Sequence, residues 1–328
     1  MPTGDPWRPG AGPAAMALRA QLYGRIREFF AARRVLEVET PMLSAAANTE
    51  PNIRSLSLRL DAPSAAGPGQ RWLRTSPEFA LKRLLAAGIG DCYELGRVFR
   101  DGEAGRRHNP EFTLLEWYRV GWDHLRLMEE AAALVLEAFG LCGRSLRVRR
   151  CSYRDLFLGT LGLDPFTAPE PALRGPLADW EIDAAGLERD DWLDLLLTHR
   201  IEPGLADDEL LLLHDFPASQ CALAKLRRAP DGGMVAERFE LFVGRLEVAN
   251  GFHELTDARE QRSRFVADNR RRVRRGLPQL PLDERLLAAL AHGLPDCAGV
   301  ALGMDRLLMA MLGASGIADV LAFDVARA

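Results

Sequence analysis

Lysine is almost absent from this chain of 328 residues: of 42 basic residues only Lys82 and Lys225 are lysines. At most surface positions either base would serve, so the arginine bias reads as compositional. No C-x-x-C pair occurs. The five cysteines, Cys92, Cys142, Cys151, Cys221 and Cys297, are scattered and odd in number. That leaves a disulfide framework or a zinc knuckle without support and predicts free thiols in a reducing compartment. No apolar run reaches the roughly 18 residues that a membrane helix needs. A Walker loop is missing, and no Ser-His-Asp or Cys-His arrangement stands out. Residues 1–15 are rich in Pro, Gly and Ala without a basic start and an apolar core, so they read as a flexible tail, not a secretion signal. The formal charge of -4 excludes a general basic coat for nucleic acid, though not a local basic patch.

What remains is an ordinary globular composition, 48% hydrophobic and 27% charged. It suits one large domain or two modest ones. Leu18, Leu22, Ile26, Phe29 and Phe30 recur at helical spacing. Val35–Val38 is strand-like and ends at Thr40 and Pro41. Leu56–Leu60 and Arg71–Thr75 flank a loop over 62–70. Ser76-Pro77-Glu78 is a helix start, with Gly88 as the stop. Tyr93–Phe99 and Phe112–Val120 predict an antiparallel pair around a polar loop. A helix is expected over 123–139, a helical insertion with loops over 160–190, and a short helix over Asp191–Ile201. Leu211–His214 and Phe239–Val248 each read as a strand. Asp257 with Glu260 resembles a capping box opening a helix to about Arg275. Asp283–Ala291, a strand over Val300–Leu302 and a helix from Met304 complete the pattern. Separated hairpins with helices between them predict an α+β fold around a mainly antiparallel sheet.

Three polar groupings carry chemistry. Arg100, Arg106, Arg107 and His108 crowd one loop, and Arg306 lies in a late Gly-flanked segment. Arginine grips phosphate oxygens with two donors; the plain alternative is a solvated basic turn. Glu240 and Glu247 suit a hard cation such as Mg2+. Their odd separation puts them on opposite faces of a regular strand, so only a bend or bulge would unite them. The alternative is two unrelated strand-edge carboxylates. Asn250, Gly251, Phe252, His253 and Glu254 place polar groups inside an apolar stretch. A buried Glu there calls for a cationic partner, while His253 alone fits an ordinary packing role. His214 beside Asp215 is a weak signal.

Three segments then carry a resemblance. FFAARRVLEVETPML (29–43), GRVFRDGEAGRRHNPEFTLLEWY (96–118) and GVALGMDRLLM (299–309) resemble, in order, motifs one, two and three of class II aminoacyl-tRNA synthetases, nearest the lysyl type. The likeness runs from about Met16 to Ala328. Lysyl enzymes also carry an N-terminal domain that reads the anticodon, and motif one here starts too early to leave room for it. Segments 214–225, 237–261 and 275–306 are similar to the stand-alone lysyl paralogues that modify elongation factor P, as are Ser76 and Ala298.

The resemblance implies a single class II catalytic domain over 16–328 with a mostly helical insertion around 160–205. It implies a cytoplasmic, homodimeric ligase that uses ATP and Mg2+ to activate (R)-β-lysine and passes it to a lysine of elongation factor P. No anticodon-dependent tRNA binding and no membrane association are expected. Two other readings stand beside it: a truncated lysyl-tRNA synthetase charging tRNA or another acceptor, and a non-catalytic synthetase-like binding protein. By the same resemblance Arg100 holds the α-phosphate and the substrate carboxylate, His108 a phosphate, and Arg306 the γ-phosphate. Asn109 reads adenine through its backbone and Phe112 stacks on the ring. Glu240 and Glu247 hold Mg2+. Glu78 takes the near amine, while Glu116, Tyr118, Asn250 and Glu254 line the far-amine pocket, reshaped by Ser76 and Ala298. Pro41 belongs to the dimer motif. One departure stands out: the usual Arg-x-Glu of motif two has Gly102 in third place, with Glu103 next.

Overall fold

The computed structural model describes residues 7–61, 69–184, 186–230 and 232–328; most of the expected 62–70 loop lies outside them. The chain opens with α1 (Pro13–Ala32), β1 (Leu36–Glu37), β2 (Leu43–Ser44), β3 (Ser57–Leu60), β4 (Gly69–Leu73), α2 (Glu78–Ala86), β5 (Cys92–Phe99) and β6 (Glu111–Val120). Then come α3 (His124–Gly140), β7 (Arg147–Ser152), α4 (Tyr153–Leu161), α5 (Glu170–Arg174), α6 (Arg189–Leu196), β8 (Glu209–Pro217), β9 (Leu226–Arg228), β10 (Met234–Val243) and β11 (Leu246–His253). It closes with α7 (Ala258–Arg274), α8 (Glu284–Gly293), β12 (Cys297–Gly303) and α9 (Met304–Leu312). The fold is α+β. The residues group into two compact units, Met1–Gly121 with Leu255–Ala328, and Trp122–Glu254.

In the first unit β5 pairs antiparallel with β6, β6 antiparallel with β12, and β1 runs parallel to β5. A three-stranded sheet orders β2-β4-β3. Strand residues alternate between faces. One face carries Tyr93 and Trp117, on which Phe30 of α1 packs with ring centroids 4.3 and 5.4 Å away. The apolar stripe predicted on α1 (Leu18, Leu22, Ile26, Phe29 and Phe30) is buried throughout. Phe112, Leu114, Glu116 and Tyr118 occupy the other face. Of the expected loose tail over 1–15, residues 1–6 lie outside the described residues; in the rest α1 begins at Pro13, Ala11 is buried, and Gly10 and Ala11 donate to the carbonyls of Ala322 and Leu321.

In the second unit β10 is central, antiparallel to β11, β8 and β9, and β7 runs parallel to β8. The insertion packs its own apolar core: Tyr153, Phe157, Leu173, Trp192 and Leu196 close on Leu211, Leu213, Phe216 and Phe242. The single strand predicted over 239–248 is instead two strands. Gly244, with φ 54, and Arg245 make a two-residue hairpin turn between Val243 and Leu246. Glycine at the first turn position suits the twist of such hairpins.

Candidate active site

On the sheet face away from Phe30 in the first unit, β6 sets out its even-numbered residues. Glu116 is the hub. Its Oε2 accepts from Ser76 Oγ at 2.6 Å and its Oε1 from Tyr118 Oη at 2.9 Å, and only 3% of the residue is exposed. Ser76 also caps α2, its Oγ accepting from the Glu78 amide at 2.9 Å. One hydroxyl thereby fixes both the pocket carboxylate and the helix start that carries Glu78. The Glu78 carboxylate takes Lys82 Nζ at 2.6 Å, and Lys82 is buried. The i,i+4 Glu–Lys spacing is the sequence signal for this pairing. A buried ammonium at the carboxylate expected to hold a substrate amine shows that this position already stabilises such a cation.

Strand register corrects one expectation. Ala298 pairs with Arg119, whereas Ala301 pairs with Glu116 and Gly299 with Tyr118. Paired residues share a face, so Ala298 lies on the side opposite Glu116. Ala301 and Gly299 are the small residues beside the carboxylate. Three positions along a strand reverse the face, and a sequence quoted without its register does not reveal that.

The phosphate-type groups meet at the motif-two loop. Arg306 Nη2 approaches His108 Nε2 at 2.6 Å. Since a guanidinium only donates, that nitrogen is the acceptor. Asp305 explains the placement of Arg306. Its buried carboxylate accepts from Arg19 Nη2 at 2.5 Å and from the Thr113 amide at 2.9 Å, tying the start of α9 to α1 and β6. Asp305 was missed in the sequence, where only its neighbour Arg306 drew notice. Arg100 lies over the Phe112 ring at 5.1 Å and donates to the Thr75 carbonyl at 3.3 Å. Asn109 is buried; its Nδ2 donates to the Glu111 carbonyl at 2.7 Å and its Oδ1 accepts from the Val325 amide at 2.9 Å. Its side chain is thus committed to the fold, which leaves its backbone for recognition.

Gly102 has φ 82, and a Cβ built there would stand 2.4 Å from Arg54 Nη2. Arg54 fills the space that a side chain at 102 would take, and its carbonyl accepts from the Asp101 amide at 2.8 Å. Glu103 Oε1 reaches Arg100 Nη1 at 3.4 Å. The carboxylate missing at 102 therefore has a neighbour that meets the same arginine.

In the second unit a bulge resolves the odd spacing of the acidic pair. Phe242 pairs with Glu247 but Leu241 pairs with Ala249, so Val248 is the extra residue. Beyond it Glu240 pairs with Asn250. The extra residue brings Glu247, Glu240 and Asn250 onto one face, the same one as Phe242. Glu240 is buried and receives Arg238 Nη2 at 2.6 Å. Burial raises its carboxyl to about 8; Arg238 opposes the rise and Glu247 adds to it by repulsion. Two carboxylates in mutual repulsion, one of them dehydrated, are a donor set that a hard divalent cation relieves. Half of Glu240 is already answered by Arg238, which leaves Glu247, only partly buried, as the more available ligand. Glu254 is 1% exposed and makes an antiparallel bridge with Ala224. Pro41, Met42 and Leu43 are exposed.

A class II tRNA synthetase model of the D, K and N type matches residues 11–327. Curated relatives cover 98% of both chains. An elongation factor P–(R)-β-lysine ligase of Yersinia enterocolitica is 47% identical over 327 residues, and those of Salmonella gallinarum and Proteus mirabilis are 46% and 47% identical.

Proposed function

Because this chain belongs to the class II tRNA synthetases of the D, K and N type, we propose that it is an AMP-forming ligase that activates (R)-β-lysine and transfers it to a lysine side chain of elongation factor P. The relatives' shared name, at 46–47% identity over nearly the whole chain, carries the choice of substrate. The Ser76–Glu116–Tyr118 hub supports it: a dehydrated carboxylate held by two hydroxyls is built to take an ammonium group.

In the first step the β-lysine carboxylate oxygen attacks the ATP α-phosphorus. The bond to the bridging oxygen breaks and pyrophosphate leaves with the electron pair. Arg100 and Arg306 stabilise negative charge as it grows on the phosphoryl oxygens. His108 accepts from Arg306 and keeps that guanidinium in position. Phe112, with Arg100 over its ring, offers a stacking surface to adenine. Glu78 takes the near amine and Glu116 with Tyr118 the far one; in the second unit Asn250 and Glu254 are the amine-binding candidates. Mg2+ held at Glu247 and Glu240 would neutralise polyphosphate charge. In the second step the neutral amine of the acceptor lysine attacks the acyl carbon. AMP departs, the amine loses a proton, and an amide remains. No protein nucleophile is needed; orientation supplies much of the rate.

We also infer a homodimer through the motif-one segment, where Pro41, Met42 and Leu43 leave apolar surface exposed. A cytoplasmic setting follows from ATP and a translation factor as substrates; no described helix is long and apolar enough to cross a membrane. Incubation with ATP, (R)-β-lysine and purified elongation factor P, read by mass spectrometry, tests the function. A mass gain of one lysyl residue on the factor is expected. Transfer to tRNA alone would favour the truncated synthetase, and absence of ATP–pyrophosphate exchange would favour the non-catalytic reading.

A further inference from the structure

The strand face opposite Glu240 and Asn250 carries a second polar cluster. Glu237 and His253 flank the Arg238–Phe252 pair, so alternation sets them on the α3 side of β10 and β11. His124, first residue of α3, meets them there. One ligand atom each of His124, Glu237 and His253 lie within 4.8 Å of one another. The His253 Nδ1 to Glu237 Oε2 distance is 2.6 Å.

Three observations separate this cluster from an ordinary ion-pair patch. First, His124 is 2% exposed, and its Nδ1 is buried with no hydrogen-bond partner among the described residues. A buried, unanswered ring nitrogen is costly without a ligand. Second, its other nitrogen, Nε2, lies 3.4 Å from Asp215 Oδ1. A carboxylate behind a histidine is the arrangement that orients a metal-bound imidazole. Third, Asp215 holds φ 61, uncommon for a side-chain-bearing residue. It does so where Glu237 and Arg238 of β10 pass it in a register shift between Ala236 and Phe239. That irregularity lets Asp215 and Glu237 approach the same imidazoles.

Arg227 Nη2 is 2.5 Å from Asp215 Oδ1, and its Nε is 3.5 Å from Glu237 Oε1. His214 Nδ1 is 3.2 Å from Asp215 Oδ2. Lys225 Nζ is 3.3 Å from His253 Nε2. Arg227 engages one oxygen of each carboxylate and leaves Glu237 Oε2 facing His253. We propose that His124, Glu237 and His253 form a binding site for one divalent transition-metal ion of the zinc class, separate from the ATP-site carboxylates. Two imidazoles with one carboxylate are a familiar zinc donor set. Binding displaces the proton between His253 and Glu237, and the charges of Lys225 and Arg227 oppose it.

The full chain, free of histidine tags and stripped with chelator, is given Zn2+ alone or Co2+ alone and passed through gel filtration. Wild type is expected to retain one zinc per chain, and Co2+ to produce visible ligand-field absorption. His253→Gln should lower retained zinc at least tenfold. Glu237→Gln serves as the second variant should the histidine change disturb folding, with circular dichroism as the check. Lys225→Met should bind zinc at least as tightly as wild type, because a repelling charge is gone; a purely ion-paired cluster would bind none in either form. Wild-type zinc no higher than that of His253→Gln, or a cobalt spectrum matching free Co2+, would overturn the site.

Discussion

The two units handle charge in opposite ways. In the first, cations meet neutral acceptors or single carboxylates: Arg306 on His108, Arg100 beside Glu103, Lys82 on Glu78. In the second, one buried guanidinium, Arg238, answers Glu240 while Glu247 repels it. The first unit is poised to receive anions, with its donors oriented by Asp305 and Thr75. The second holds more carboxylate charge than its buried cation balances, and so is poised to receive a cation. Within the first unit, arginines are set toward anions while Glu78 and Glu116 suit cations; within the second, the Glu240–Glu247 pair suits a cation.

The largest effect should come from the anion-receiving side. Arg306→Ala is expected to cut ATP–pyrophosphate exchange by roughly a thousandfold, with gel filtration and circular dichroism unchanged because Asp305 still anchors α9. Near-normal exchange would break the comparison. On the cation-receiving side, Glu254→Gln should weaken β-lysine by about thirtyfold, about 2 kcal/mol for a charge-assisted bond, while ATP binding stays within about twofold on the same scale. Calorimetry reads both; equal losses would mean that the side chain serves the fold and not the amine.

Gly102→Glu probes the altered motif-two turn. It places a Cβ at positive φ against Arg54, at a cost of about 1–2 kcal/mol. Adding Arg54→Ala should restore part of the lost melting temperature, by relieving the contact and not the backbone strain. No recovery in the double variant would show that Arg54 is not what fills that space.

The smallest effect is a pH dependence. Because the Glu240 carboxyl is raised in the folded state, the folded chain keeps a proton that the unfolded chain has lost between the ordinary carboxylate range and about 8. Its contribution therefore makes stability fall as pH rises through that window. A cation replaces the proton at the upper end. Mg2+ should raise the melting temperature more at pH 8.5 than at pH 6, and a gain independent of pH would argue against the acidic pair as its ligand.

Legibility differed between the units for the same reason. The Arg100–Tyr118 run and the 299–309 run are contiguous, so their motif order and local elements could be read directly, as could α1, α2, α3, α7 and the β5–β6 pair. The capping role of Asp257 was visible too: it accepts from the Arg259 and Glu260 amides, although Glu260 itself turns to Arg264. β7 was missed because Arg147–Ser152 is a charged, exposed strand with no apolar alternation. The hairpin at Gly244 was read as one strand because apolar residues stand on both sides of a turn of only two residues.

By itself the sequence determined the α+β class, the family, and which cations, hydroxyls and carboxylates were on offer, since these follow from residue type, local periodicity and motif order. Only the tertiary structure decided which of them share a face. The Val248 bulge put Glu247 beside Glu240, the β6–β12 register put Ala301 and not Ala298 against Glu116, and the opposite strand face gathered His124, Glu237 and His253. Facing depends on register, and a single inserted residue or an odd offset reverses it without changing the composition of the strand.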